Sequence, residues 1–221
     1  ATLKNTESPV RVKPHNIYYH MFSGEKLPGL TAVLENYEYA RTQELAPIAA
    51  SDYAAIVDGF YSVQIVPIGD NRWRIENRDG LQTIRFDGHA NRFVDFSQSR
   101  GVIGQREHQG SLYVALDSSD ASPIVALAGT PSRGPYLIHS RWLVSSMTSD
   151  GDGFVFSTRG FGSGESAWRV APSTTFRISV TSKSGTVQSS ARSAEDGLLI
   201  LSLAPSTNEP FQVSVTPARE P

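Results

Sequence analysis

Hydrophobic and polar positions follow two different periods along this chain, and the change falls near Phe60. In the first part, Leu27, Leu30, Leu34 and Tyr37 recur at spacings of three and four, which predicts a helix with one buried stripe. The apolar run from Asn16 to Phe22, which precedes it, predicts a strand. Pro28 suits the first turn of the helix, where its missing N–H would be unpaired in any case. Pro47 stops the pattern. Ser51 is then placed to cap a second, short helix through Asp52–Val57, which Gly59 ends. Strand, helix, helix is α/β grammar, yet one such unit cannot bury both faces of a strand.

From residue 62 onward the period is two. Trp73 and Ile75 alternate with Arg72, Arg74 and Glu76; Phe176, Ile178 and Val180 alternate with Arg177, Ser179 and Thr181. Phe211, Val213 and Val215 do the same in a polar tail, as one edge-like strand. Turn signals separate the runs at Asp70-Asn71, Asp79-Gly80, Asp87-Gly88, Gln109-Gly110, Asp150–Gly153 and Ser184-Gly185. The expectation is a mainly β chain: an antiparallel β-sandwich over residues 62–221, preceded by a short βαα segment over residues 1–61, with no long helix between Trp73 and Val215.

Composition narrows the classes. The chain has 221 residues, 39% hydrophobic, and no Cys, which removes disulfides, thiolate metal sites and Cys nucleophiles. Twenty basic against 22 acidic residues leave a formal charge of −2, so no bulk field steers nucleic acid, and no nucleic-acid partner is expected. The basic residues are Arg except Lys4, Lys13, Lys26 and Lys183, a bias that suits polar ligands and equally a GC-rich genome. The apolar runs are strand-sized, so no membrane span is expected. Ala1–Ser8 lacks the apolar core of a signal peptide, but a chain starting without Met reads as an excised or processed fragment.

Most chemical motifs are missing. His15, His20, His89, His108 and His139 form no metal-binding pair by local spacing, and no metal ligand is assigned within this chain. Gly160–Glu165 is glycine-rich but lacks the third glycine of a dinucleotide loop and the Lys of a phosphate loop, and reads as a loop between strands. Asp150–Gly153 stops short of a calcium loop and reads as a hairpin turn. His20 stands apart: it closes the only strand of the α/β part, where βα folds collect functional side chains. An imidazole there is either a general acid or a buried ring bonded to backbone.

Residues 12–24 (Val-Lys-Pro-His-Asn-Ile-Tyr-Tyr-His-Met-Phe-Ser-Gly) and 45–53 (Leu-Ala-Pro-Ile-Ala-Ala-Ser-Asp-Tyr) resemble the last barrel segment of the polysaccharide deacetylase family. Ser99–Gly104 and Ser111–Leu116 are similar to the β-rich C-terminal region of its periplasmic hydrolase/deacetylases of the Pel exopolysaccharide pathway. The resemblance covers most of the chain. It implies that residues 1–61 end a deacetylase-like (β/α) barrel, and that the chain lies in the periplasm. In the family a strand ending in hydrophobic-x-His supplies the general acid; Tyr18-Tyr19-His20 matches, with Tyr18 in place of the usual Leu. Tyr18 and Phe22 beside it are then substrate-binding candidates. The family's chemistry needs a zinc-like divalent metal and an Asp base, whose motifs lie upstream of the matched segments. This chain would therefore be the C-terminal portion of an N-deacetylase acting on a hexosamine exopolysaccharide, inactive alone. Its implied partners are the polysaccharide and the rest of the barrel.

A second reading makes the sandwich a carbohydrate-binding module or the docking site of an outer-membrane export protein, with no catalysis of its own. Trp73, Trp142, Trp168, Tyr61, Tyr113 and Tyr136 are the rings available for stacking on sugars, although aromatics in alternating strands are mostly core. Trp168, which follows the glycine-rich segment, is the one expected to stand exposed at a sandwich end.

Overall fold

Alternating apolar residues need two sheets to bury them, and this chain builds three. In the computed structural model, which describes residues 14, 16–43, 45–89 and 91–218, contacts divide the chain into two units, Ala1–Leu45 and Ala46–Pro221. His15, Lys4, Lys13, the Ala1–Ser8 segment and the end of the tail at Pro221 lie outside the described residues.

In the first unit, Pro28 sits in the first turn of α1 (Leu27–Arg41), as its chemistry requires. Two other expectations change. Asn16–His20 is not a strand: it runs unpaired into a 3₁₀ turn at Met21–Gly24, with His20 in extended backbone. A strand is defined by backbone partners, and the described residues supply none. The stripe of α1 is likewise uncovered, and no residue of the helix is buried.

The second unit begins before the change of period. Helix α2 (Ala50–Ser62) belongs to it, so the units divide at 45/46 rather than 61/62. Ala49 takes the N-cap position and Ser51 makes no cap. Gly59 does not end α2. It lies inside the helix and is buried, because a Cβ there would meet the Arg78 carbonyl oxygen at 1.9 Å.

Among the described residues, fifteen strands follow in this unit. Four form one sheet in the order β1 (Gln64–Gly69), β2 (Arg72–Glu76), β7 (Ile124–Ala128) and β4 (Phe93–Val94). Five form a second: β13 (Gly185–Arg192), β12 (Thr175–Ser182), β15 (Phe211–Pro217), β10 (Gly153–Arg159) and β9 (Leu143–Asp150). Six form the third: β14 (Leu198–Thr207), β11 (Phe161–Arg169), β8 (Tyr136–Ser140), β5 (Val102–His108), β6 (Ser111–Leu116) and β3 (Thr83–Phe86). Among the described residues, all pairings are antiparallel except a single parallel bridge between Gly104 and Leu137. The turns at Asp70-Asn71, Gln109-Gly110, Asp150–Gly153 and Ser184-Gly185 close hairpins, with Gln109 and Gly110 both at positive φ, whereas Asp79-Gly80 and Asp87-Gly88 link strands of different sheets. No helix interrupts the described chain between Trp73 and Val215. Strand β15 is not an edge: it is the middle strand of its sheet, with Val213 and Val215 fully buried.

The six-stranded sheet serves two cores. On β6, Leu112, Val114 and Leu116 join Ile75, Val94 and Val125 in one core, while Ala115, on the opposite face, packs against the other. That second core centres on Trp168, whose ring lies 4.6 Å from those of both Phe154 and Phe156. The sheet stays continuous at the β5–β8 bridge only because residue 104 is glycine. A Cβ there would stand 2.1 Å from the Leu137 carbonyl oxygen.

Gly104→Ala should therefore lower stability by about 2–4 kcal/mol, because backbone rather than a movable side chain blocks the methyl. Gly129→Ala, where a Cβ meets nothing within 4 Å, should stay within about 0.5 kcal/mol of the wild type. Urea unfolding of both variants checks the difference.

Candidate functional site

Extended backbone up to His20 and the 3₁₀ turn that carries Phe22 bring a short ladder of rings together before α1. The His20 imidazole stacks on the Phe22 ring at 4.9 Å, with 9° between the planes. Tyr18 meets the same imidazole edge-on at 5.2 Å. Tyr18 is 75% exposed and Phe22 63%, and His20 is exposed between them. On the other side, Tyr19 lies edge-on to Tyr37 of α1 at 6.4 Å. Desolvation, followed by a hydrogen bond with Tyr19, holds the Tyr37 phenol above its ordinary pKa. The three expected site residues of this segment therefore stand together and open to solvent. A buried histidine bonded to backbone is not what this position holds.

Trp168 has to be corrected. Its side chain has no exposed surface, and its indole N–H donates to the Ser166 hydroxyl at 2.8 Å inside the core. It cannot present a face to a sugar ring. Trp142 is also buried, with its indole N–H donating to the Phe161 carbonyl at 3.1 Å. That packing explains Gly160 and Gly164, while Gly162 stands at φ 67°. A Cβ on Gly160 or Gly164 would stand 2.2 or 2.9 Å from the Trp142 ring. The segment is mostly the start of β11, with a register shift between Gly162 and Gly164, rather than a loop. Trp73, Tyr113 and Tyr136 are half-buried, Trp73 against Phe86 and Tyr136 against Phe96. Tyr61 is exposed on α2, but its ring stands at 84° to that of Phe60. These rings do not form a coplanar platform.

The second unit has a groove of about 520 Å³ between α2 and the strand ends around Trp142. Arg159 spans it, donating to Asn208 Oδ1 at 3.2 Å and standing 3.7 Å from Asp52 on α2. Beneath lies a polar knot that sequence reasoning missed. The buried Arg78 guanidinium donates to the carbonyls of Leu81, Asp117 and Asp120. Burial lowers its pKa, with Asp120 and Asp117 pulling the other way. The Asp117 carboxylate, 6% exposed, accepts from the Ser119 hydroxyl and from the backbone N–H groups of Ser119, Ser146 and Met147. It thereby joins the end of β6 to β9. The sequence signal was limited to Asp117-Ser-Ser119, an Asp followed by turn residues; its partners lie some thirty residues away.

Among the described residues no three His, Asp or Glu side chains gather as a metal-ligand group. His139 and Glu165 come within 3.7 Å, and His20 is bordered by rings rather than carboxylates. No helix among the described residues is long and apolar enough to cross a membrane. In comparisons with known proteins, no family model matches the chain and no curated protein matches it significantly.

The Asp117 carboxylate has a definite pH signature. Burial pushes its pKa up, but the hydrogen bonds from Ser119, Ser146 and Met147 outweigh that, so its native value lies below the ordinary one. A depressed native pKa adds stability that is complete above the unfolded value of about 3.9 and is lost as pH falls through the native value. Asp117→Asn should cost about 2–4 kcal/mol at neutral pH, since an amide N–H₂ would face the backbone donors. It should also flatten the acid limb below about pH 4 relative to wild type. Thermal unfolding across pH checks both.

Proposed function

We propose that the chain is the C-terminal portion of a metal-dependent polysaccharide N-deacetylase acting on a hexosamine exopolysaccharide of the Pel type, in the periplasm. The observation that carries this reading is the state of the first unit: an extended aromatic segment without sheet partners, followed by a helix with an uncovered apolar stripe. A last strand and helix of a barrel have this character when the neighbouring strands belong to chain outside the sequence described. The partner of this surface is then the rest of the deacetylase barrel.

In that pocket the resemblance assigns the divalent metal and the Asp base to segments upstream of this chain, and the chain contributes the acid. Removal of an N-acetyl group breaks the C–N bond, and the departing amine nitrogen leaves poorly unless it gains a proton. His20 would deliver that proton from its imidazole while Tyr18 and Phe22 hold the ring between them and offer apolar faces to the sugar. The β-rich unit is an accessory in this reading. Burial of Trp142 and Trp168 weighs against the alternative in which the sandwich is itself a sugar platform.

His20→Ala in the intact enzyme should lower kcat by about 10²–10⁴-fold with little change in KM. The thermal midpoint should not move, because the side chain is exposed. A lower midpoint with unchanged activity per folded molecule would assign His20 to structure alone. Titrating the chain with acetylated and de-acetylated hexosamine oligomers separates the two readings. Binding lost in Tyr18→Ala with Phe22→Ala supports the pocket, and binding indifferent to both moves the sugar to the sandwich.

A further inference from the structure

A cleft that a ligand can use has walls fixed by contacts of their own, and polar groups left over to face it. The groove beside α2 meets both conditions. Its volume of about 520 Å³ lies within the range of about 300–1,000 Å³ that small-ligand clefts occupy. On one wall, α2 is seated on the turn after β2. The Gly80 N–H donates to the Ala55 carbonyl at 3.2 Å, and a Cβ on Gly80 would stand 2.9 Å from Ala55. The Ser62 hydroxyl donates to the Asn77 carbonyl at 2.7 Å. On the other wall, Trp142 is fixed by the bond from its indole N–H to Phe161 and by the close approach of Gly160.

Among the described residues, the half-buried side chains of Gln82, Ser118 and Ser145 line this groove without a hydrogen bond, and Arg159 donates only from Nη1. The 3.7 Å between Arg159 and Asp52 is longer than a hydrogen bond, so neither group saturates the other. Apolar surface is left over as well: Ile48 is 46% exposed, and Ile56 and Phe161 are half-buried. Charge is near balance, with Arg78, Arg141 and Arg159 against Asp52 and Asp79. An anion entering here meets two carboxylates, and a cation meets three guanidinium groups. An uncharged ligand with donors, acceptors and an apolar side meets neither penalty.

We propose that this groove binds an N-acetylated hexosamine segment, as a second sugar site within the β-rich unit. Naming the sugar rests on the deacetylase reading; the groove itself does not. Sugar hydroxyls both donate and accept, which suits Gln82, Ser118 and Ser145. The acetamide carbonyl accepts from Arg159, its N–H donates to Asp52, and its methyl covers Ile48 or Ile56. Such binding needs no exposed indole, so the burial of Trp142 and Trp168 does not oppose it. Loss of the acetyl group exchanges this neutral group for an ammonium. The acceptor for Arg159 is then gone, and a cation stands beside a guanidinium. The groove therefore holds the acetylated polymer and releases the deacetylated one.

Nuclear magnetic resonance of the ¹⁵N-labelled full chain tests this, by titration with the tetramer of N-acetylglucosamine and with the tetramer of glucosamine. The acetylated tetramer should shift the Gln82 side-chain amide, the Arg159 Nε–H and the Trp142 indole N–H together, with a Kd of about 1 mM or below. The glucosamine tetramer should bind at least about tenfold more weakly. Arg159→Gln should weaken binding of the acetylated tetramer by about tenfold. If Arg159→Gln lowers the thermal midpoint, Gln82→Ala replaces it. Absence of shifts in the groove overturns the proposal, and so does equal binding of the two tetramers. Shifts confined to Tyr18, His20 and Phe22 also overturn it, while leaving the deacetylase reading in place. Conversely, groove shifts together with an unchanged kcat in His20→Ala of the intact enzyme keep the site and remove that reading.

Discussion

The fold of the second unit depends on a backbone approach at one glycine. Gly104 brings β5 against β8 so closely that a methyl group would stand 2.1 Å from a carbonyl oxygen. Through that bridge the strands facing one core and the strands facing the other become a single six-stranded sheet. Without it the strands around Ile75 and Val114 and those around Trp168 would be two sandwiches joined by loops. The Asp117 carboxylate reinforces the junction by tying the end of β6 to β9. Arg78 fastens the loop after Asp117 in turn, from a buried position where its charge is compensated by carbonyl oxygens. Such groups cost free energy to bury, and each guanidinium nitrogen of Arg78 offsets part of that cost by donating to a carbonyl oxygen.

The two units differ in how they treat apolar surface. The β-rich unit buries most large side chains of its strands, with Ile65, Val187 and Ile200 as exceptions, and exposes Phe60 and Tyr61 on α2. The first unit keeps Leu27, Leu34, Tyr18 and Phe22 largely in water. Burial of each such side chain contributes about 1.5–3 kcal/mol, so a chain that exposes a set of them gains by covering the set. This imbalance, rather than any assembled catalytic group, is what supports reading the first unit as one part of a larger barrel. It also explains why His20 is open: nothing in its own unit is large enough to bury it.

Functional reasoning was uneven for the same cause. The Tyr18, His20 and Phe22 cluster was named through the family resemblance; the extended backbone up to His20 and the 3₁₀ turn that carries Phe22 bring the three rings together. Trp168 was misread because a glycine-rich neighbour suggested a sandwich end. Gly160 and Gly164 in fact make room for Trp142, a residue some twenty positions earlier. The Arg78–Asp117 knot could not be found, since its members are joined by carbonyl groups that every residue possesses.

The sequence by itself determined the strand-rich character after residue 62, the hairpin turns, and the helix placed by Leu27, Leu30, Leu34 and Tyr37. These follow from period, turn chemistry and proline, all of which act within a few residues. Tertiary structure alone decided what pairs with what. It made Phe211–Pro217 a central strand, left Asn16–His20 without partners, extended α2 through Gly59, and split one expected sandwich into two cores with a shared sheet. Each of these turns on whether a distant backbone arrives. Side-chain periodicity says which face of a segment is apolar, but the contact that satisfies its N–H and C=O groups is set by the whole chain.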